Sequence, residues 1–148
     1  MNIDNKKVLV VGTGISGVAA TQLLVEKGIS TVLFDGNKDL NTREFFEKNP
    51  QISDVPIILG DLSDEQMNGI DIAVLSPGVP TDIPMVLAMK DKGIQIWGEI
   101  ELAYYFGKGR VIAITGTNGK TTTTSLVGQI MKEYHDNVYI VGNIGNPY

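Results

Sequence analysis

The stretch that most constrains the fold of this chain is residues 111–124, VIAITGTNGKTTTT. It contains an apolar, β-branched run at Val111–Thr115, a glycine-rich turn at Gly116–Gly119 and a polar segment from Lys120 that suits a helix. A helix N-terminus exposes backbone N–H groups and the positive end of the helix dipole, and glycines in the turn let an anion approach the backbone. The order of strand, turn and helix therefore predicts a phosphate-binding loop in an α/β protein.

Two kinds of side chain in this stretch strengthen the prediction. Lys120 supplies a positive charge for outer phosphates, and the hydroxyl of Thr121 or Thr122 can reach Mg²⁺. The spacing is not that of the common G-x-x-x-x-G-K-[ST] loop, because Ile114 stands where its first glycine would be. The match is to a shorter pattern, T-G-T-N-G-K-T. The alternative is an ordinary glycine-rich turn with a solvated lysine.

A second glycine-rich turn follows the first predicted strand, Lys7–Val11. It reads G-T-G-I-S-G at Gly12–Gly17, and a helix should follow it and stop at Gly28. The next strand, Thr31–Phe34, places Asp35 at its carboxyl end. Such a turn with an acid about 20 residues further on is typical of a dinucleotide site, with phosphates at the helix N-terminus and the acid on a ribose. An NAD site and a βαβ unit without ligand are both open from these residues alone.

The rest of the chain alternates strands with helices. The predicted strands are Ile57–Leu59, Asp71–Leu75 and Ile94–Trp97, and the predicted helices are Leu40–Lys48, Ser63–Asn68, Pro84–Lys92 and Glu99–Phe106. This alternation predicts an α/β fold with a Rossmann-like parallel sheet and helices on both faces, in a domain of residues 1–97. Residues 98–148 would begin a second, phosphate-loop domain with one βαβ piece, whose last strand is Val138–Val141. Ligands of open α/β sheets bind at the carboxyl ends of strands, so Gly12–Gly17, Asp35 and Ser76–Gly78 should line one crevice.

Composition excludes several classes of function. The 148 residues carry 12 basic and 17 acidic side chains, a net charge of −5, with no basic patch of the kind that binds nucleic acid. The chain has no cysteine, which rules out disulfides, thiolate metal sites and a cysteine nucleophile, and its single histidine excludes a His-rich metal site. No signal peptide or membrane-spanning segment is recognisable. We therefore expect a soluble, cytoplasmic protein without membrane insertion.

Five motifs occur in an order that resembles one family. They are G-T-G-I-S-G, S-P-G-V-P, G-E-I-E-L, G-T-N-G-K-T-T and G-N-I-G, beginning at residues 12, 76, 98, 116 and 142. Together they resemble the Mur ligases, and among these the members that add D-glutamate to UDP-N-acetylmuramoyl-L-alanine. The phosphate loop alone is similar to that of the wider group, which includes the folylpolyglutamate synthetases. The resemblance covers the chain from Lys7 onward.

The resemblance implies particular ligands for both turns. The N-terminal domain would hold the uridine diphosphate of the substrate, not NAD, and the substrate-binding residues would be Gly14, Ile15, Ser16, Gly17, Asp35, Ser76, Pro77, Gly78 and Asn143. ATP would be bound by Gly116, Thr117, Asn118, Gly119, Lys120, Thr121 and Thr122, with Lys120 as the catalytic residue and Thr121 or Thr122 on Mg²⁺. The family often has a hydroxyl and a basic residue after the acid. Here Gly36 and Asn37 stand at those positions.

The resemblance also implies a reaction in peptidoglycan precursor synthesis. An acyl-phosphate would form on the L-alanine carboxylate of the substrate at the expense of ATP, and the amine of D-glutamate would then attack it. The family's later magnesium-binding glutamate, its modified lysine and its C-terminal domain have no counterpart in this sequence. We therefore expect an N-terminal fragment without ligase activity of its own. The alternatives are an NAD(P)-binding Rossmann regulatory module, which leaves the G-T-N-G-K-T loop unexplained, and a P-loop NTPase switch, which the loop spacing disfavours.

Overall fold

The computed structural model describes residues 3–142 of the chain. The chain divides into two compact units with a boundary between Tyr105 and Phe106. The domain boundary that we predicted from the sequence, between residues 97 and 98, stays a prediction. Across the described residues, no helix has both the length and the apolar character needed to cross a bilayer.

The first unit is built from five strands, the helices that connect them and a helix that follows the last strand. The strands are β1 (Lys7–Val11), β2 (Ser30–Asp35), β3 (Ile57–Leu59), β4 (Ile72–Leu75) and β5 (Gln95–Gly98). The helices are α1 (Ile15–Glu26), α2 (Thr42–Lys48), α3 (Asp64–Met67), α4 (Pro84–Asp91) and α5 (Glu99–Phe106), with a 3-10 turn at Pro50–Ile52. Each predicted strand and helix of this unit is therefore present, with ends that differ by at most two residues.

All five strands are parallel and lie in the order β3-β2-β1-β4-β5. The chain thus starts at the centre of the sheet, adds β2 and β3 on one side and then crosses over to add β4 and β5 on the other. The reversal between β1 and β4 is the topological switch point of a doubly wound sheet, where such folds bind ligands. The predicted Rossmann-like fold is confirmed.

Alternate side chains of the central strands are buried on opposite faces of the sheet. One face carries Leu9, Phe34 and Leu75, which cluster with buried Met67 of α3 and Met89 of α4. The other set of strand side chains is also buried, as their exposures of 0–1% show for Val8, Val10, Leu33 and Val74. Helix α1 buries Ala20 and Leu24 and packs against β1 and β2. Burial of both faces explains why these strands are apolar throughout.

The second unit contains one helix in its described part, α6 (Lys120–Lys132). It begins at Lys120 as predicted. The predicted strands Val111–Thr115 and Val138–Val141 are wrong, because residues 111–115 and 138–140 have extended or irregular backbone without strand pairing, and Val141 forms only an isolated bridge. A strand is stabilised by the hydrogen bonds and side-chain contacts of neighbouring strands. The described residues of this unit include no such ladder, so β-branched composition alone does not produce the βαβ piece.

Candidate functional site

The carboxyl ends of four strands of the first unit lie along one edge of the sheet, where a glycine and three polar residues stand. Gly12 follows β1, Asp35 ends β2, Ser76 follows β4 and Glu99 follows β5. The pairing register sets Val11 beside both Phe34 and Leu75, so the turn after β1 lies between Asp35 and Ser76. The structure therefore brings the predicted positions Gly14–Gly17, Asp35 and Ser76–Gly78 to one edge.

Close packing at this edge requires glycine at two positions of the first turn. A Cβ atom added to Gly17 would overlap the backbone carbonyl of Gly12. A Cβ atom on Gly12 would lie 2.6 Å from the hydroxyl oxygen of Ser76, and Gly12 has a φ of 108°, which L-residues rarely adopt. These two glycines let α1, the turn and the end of β4 approach each other.

The carboxylate of Asp35 is held by hydrogen bonds from the first turn and from its own loop. Its Oδ2 accepts from the backbone N–H of Thr13 at 3.0 Å and from Thr13 Oγ1 at 2.5 Å. Its Oδ1 accepts from the backbone N–H of Asn37 at 2.9 Å. A carboxylate oxygen can accept about two hydrogen bonds, so Oδ1 keeps one acceptor position for a ligand.

These contacts also determine the charge of Asp35. Partial burial of the carboxyl group opposes ionisation, but the hydrogen bonds from the Thr13 hydroxyl and from the N–H groups of Asn37 and Thr13 outweigh it. The pKa of Asp35 is therefore lowered from the ordinary value of 3.8. At neutral pH this end of the site is negatively charged.

The helices that follow the two glycine turns have no side-chain cap. Gly14 caps α1 and Gly119 caps α6, and neither can offer a side-chain oxygen to the first-turn N–H groups. By contrast, Asn41 accepts from Glu44 N–H at the start of α2, and Ser63 forms a capping box with Gln66 at the start of α3. Uncapped N–H groups at a helix N-terminus can donate hydrogen bonds to an anionic ligand. Both glycine turns thus keep the arrangement expected of phosphate-binding sites.

Two other predicted residues of the first site differ in their environment. Ile15 is 81% exposed at the start of α1, which is unusual for a large apolar side chain and leaves it available for contact with a ligand. Ser76 is partly exposed as a residue, but its hydroxyl oxygen is buried and has no hydrogen-bond partner among the described residues. Pro77 and Gly78 are exposed in the turn that follows. A buried hydroxyl without a partner is the kind of group that a bound ligand or water satisfies.

In the second turn, Lys120 folds back over its own loop. Its ammonium group donates to the carbonyl oxygen of Gly116 at 2.5 Å and to that of Thr117 at 3.4 Å. Gly119 has a φ of 75°, so the backbone reverses there before α6 begins. Thr121 and Thr122 are exposed in the first turn of α6. Within residues 3–142 no group of three His, Cys, Asp or Glu side chains could hold a metal ion.

The sequence alone did not single out Thr13. It occupies a variable position of the G-x-G-x-x-G pattern, and only the fold shows that it connects the first turn to Asp35. A small hydroxyl residue in that position, combined with an acid at the end of the next strand, is the signal that would have found it. Asn143, the remaining predicted substrate residue, lies outside the described residues.

The fold and these turns define a Rossmann-like α/β unit followed by a second unit with a glycine-rich turn before its helix. Family models agree with both parts. Residues 6–98 match the N-terminal domain of MurD-like Mur ligases, and residues 114–148 match the Mur ligase middle domain. The chain belongs to the Mur ligase family, with an N-terminal domain of the MurD-like type.

Similar proteins agree with this assignment. The chain is 54% identical to a UDP-N-acetylmuramoylalanine--D-glutamate ligase of Lachnoclostridium phytofermentans over 100% of its length. It is 43% identical to the protein of the same name from Clostridioides difficile over 99% of its length. In each case the chain spans 33% of the relative. A pseudomurein peptide ligase type C from Methanothermus fervidus shares its structure with a TM-score of 0.54 and 28% identity, covering 87% of this chain and 26% of that one.

Proposed function

We propose that the first unit binds the uridine diphosphate part of UDP-N-acetylmuramoyl-L-alanine. The observation that carries this proposal is the uncapped N-terminus of α1, which the glycine turn places at the switch point between β1 and β4. A diphosphate there would accept hydrogen bonds from backbone N–H groups in the segment Gly14–Gly17 and benefit from the helix dipole. The family membership of the chain supports a UDP-linked substrate over NAD.

The other predicted residues of this site would contact the uridine and the phosphates on either side of the glycine turn. Asp35 has one acceptor position left on Oδ1, which suits an N–H or O–H group of the uridine. Ser76 could donate its unpartnered hydroxyl to a phosphate oxygen, and Pro77 and Gly78 would flank the nucleotide. Ile15 would cover the ligand with its exposed apolar side chain. Asn143 is retained as a predicted contact to the phosphate or sugar region.

The second turn would bind ATP in the complete protein. Backbone N–H groups of residues 116–119 and the ammonium group of Lys120 are suited to its phosphates, because Lys120 now donates to carbonyl oxygens that a phosphate could replace. The exposed hydroxyl of Thr121 or Thr122 would hold Mg²⁺. Bound Mg²⁺ would neutralise phosphate charge, and Lys120 would stabilise the charge that develops on the transferred phosphoryl group.

The complete protein would then be a cytoplasmic, ATP-dependent ligase of peptidoglycan precursor synthesis. Phosphorylation of the L-alanine carboxylate would give an acyl-phosphate and ADP, and attack by the D-glutamate amine would form the amide and release phosphate. This chain spans a third of its ligase relatives. We propose that residues 1–148 alone bind substrate without turnover, and formation of the amide product by this chain would disprove that part.

Calorimetric titration tests the substrate proposal directly. The chain would be titrated with UDP-N-acetylmuramoyl-L-alanine and, separately, with NAD. Saturable binding of the UDP compound, with no heat from NAD, is the expected result. The variant Gly14→Asp tests the position of the diphosphate. It places a carboxylate at the N-terminus of α1, where an added Cβ atom meets no other atom within 4 Å. Gly14→Asp should abolish binding of the UDP compound, because the added carboxylate repels the diphosphate. If the unmodified chain bound NAD and not the UDP compound, the NAD(P)-binding regulatory module would be favoured instead.

A further inference from the structure

Two buried side-chain oxygens of the described residues have no hydrogen-bond partner, and they lie at the ends of neighbouring strands. They are the hydroxyl oxygen of Ser76 and the Oε2 atom of Glu99. Strands β4 and β5 pair with Leu75 beside Gly98, so Ser76 and Glu99 are the next residues in that register. Unpartnered buried polar atoms are rare because each costs the free energy of its lost hydration. Two of them at adjacent positions on the ligand-binding edge call for a common explanation.

The neighbouring acid provides a contrast to Glu99. Glu101 belongs to the same helix, α5, and its Oε2 atom accepts a hydrogen bond from the backbone N–H of Gly98 at 2.5 Å. Glu101 thus caps the start of the helix. The Oε2 atom of Glu99 has no comparable hydrogen bond in the described residues. Glu99 as a whole is only partly buried, so its side chain is not enclosed by the protein.

The strand order indicates which part of a ligand would meet Glu99. Asp35 ends β2, on one side of the glycine turn, and Glu99 follows β5, two strands away on the other side. Adjacent strands are about 4.8 Å apart, so the end of β5 is roughly 10 Å from that of β1. A ligand with its diphosphate at α1 and its nucleoside towards Asp35 would extend its remaining group across the ends of β4 and β5.

We propose that Glu99 is a specificity-determining residue that accepts a hydrogen bond from an N–H or O–H group of the acylated sugar attached to the distal phosphate. This inference rests on the proposed function of the first unit. A carboxylate acceptor requires a donor or a cation as its partner. The donor is favoured, because the described residues around Glu99 do not include two further His, Cys, Asp or Glu side chains that could complete a metal site.

Binding measurements with two ligands separate this role from general binding of the nucleotide. UDP and UDP-N-acetylmuramoyl-L-alanine would each be titrated into the wild-type chain, Glu99→Gln and the matched control Glu101→Gln. The Glu99→Gln substitution keeps the size of the side chain but replaces a charge-assisted hydrogen bond with a neutral one. We expect it to lower the affinity for UDP-N-acetylmuramoyl-L-alanine about 5- to 10-fold and to change the affinity for UDP less than about 2-fold.

Several other outcomes would contradict the proposed role of Glu99. Equal weakening of both ligands, or no weakening of either, would show that Glu99 does not contact the sugar, while the proposed function would survive. A similar effect from Glu101→Gln would attribute the change to the start of α5 as a whole. If Glu99→Gln failed to fold by circular dichroism, equal affinities of the wild-type chain for the two ligands would still overturn the inference. Failure of the wild type to bind either compound would remove the proposed function and this inference with it.

Discussion

The two glycine turns of this chain have similar sequences but different structural support. Each leads from an apolar run through glycines into a helix without a side-chain cap. The turn at Gly12–Gly17 follows the central strand of a five-stranded sheet and is packed against the end of β4. The turn at Gly116–Gly119 follows a segment that forms no strand, and within the second unit α6 buries one residue, Gly128.

The difference shows which features of such a turn are local. Both turns contain a glycine with positive φ and lead into a helix that begins within a few residues, and the start of each helix depends on nearby residues of the chain. The strand before the turn depends on neighbours far away in sequence. Consequently the first turn is supported by packing against the end of β4, whereas the hydrogen bonds of the second turn, in the described residues, connect positions close together in sequence.

Substitution of Gly17 should have the largest effect on this contrast. Its Cβ would overlap the carbonyl of Gly12, and backbone atoms cannot move aside as a flexible side chain can. We expect Gly17→Ala to destabilise the first unit by about 3 kcal/mol or more. Urea unfolding followed by circular dichroism would measure this.

Gly14→Ala is the matched control for that measurement. Gly14 has a φ of −70°, and a Cβ there meets no atom within 4 Å. Its stability should stay within about 1 kcal/mol of wild type. If Gly17→Ala unfolded at the same urea concentration as Gly14→Ala, the first turn would be as weakly supported as the second.

Amide hydrogen exchange should show the next largest difference, between α1 and α6. Helix α1 buries Gly17, Ala20, Thr21 and Leu24, whereas α6 leaves Leu126 and Ile130 at least half exposed. Local opening of α6 should therefore require less free energy. We expect its central amides to exchange at least about 100-fold faster than those of α1, measured by mass spectrometry of peptide fragments. Equal protection of the two helices would contradict the distinction.

The same contrast explains what could be predicted from the sequence. The bounds of β1, β3 and α5 agree with the prediction, because each has a compact apolar pattern between clear breakers. Helix α2 begins at Thr42 and not at Leu40, since the side chain of Asn41 caps it. Val111–Thr115 has the composition of a strand, but composition cannot provide a pairing partner. Prediction thus succeeded where local pattern and tertiary contacts agree.

For the candidate site, the sequence located positions but not contacts. It placed Asp35 at the end of the second strand, and the structure confirms that position. It could not show that Thr13 holds this carboxylate, or that oxygens of Ser76 and Glu99 lack partners, because these facts depend on side-chain geometry across strands. The ligand roles of the site residues stay predictions until binding is measured.

Thr13→Val should have a moderate effect, confined to the first turn. It removes the hydroxyl that donates to Asp35, and we expect a loss of about 1 kcal/mol at neutral pH. The pKa of Asp35 should rise towards 3.8, since the hydroxyl helps to lower it. Carbon-detected NMR titration of the Asp35 carboxyl group would follow the change.

The pH dependence of stability tests the same contact. Because the folded-state pKa of Asp35 lies below its unfolded value of 3.8, the ionised carboxylate stabilises the fold above that pH. That contribution is lost as the pH falls through the folded-state pKa. Thr13→Val brings the two pKa values together, so its stability should fall less than that of wild type on acidification, by under about 1 kcal/mol for this partly exposed group. A larger acid-induced loss in the variant would contradict the assignment.

Lys120→Ala should have the smallest effect on stability and thereby define the second turn. The Lys120 side chain is exposed, and its two hydrogen bonds are to carbonyl oxygens of its own loop, which water can replace. We expect urea unfolding to change by less than about 0.5 kcal/mol. In the complete protein, the proposed role of the ammonium group on ATP predicts that the variant loses phosphoryl transfer. A large loss of stability would instead mean that Lys120 holds the loop together, and the second turn would then resemble the first in depending on a packed contact.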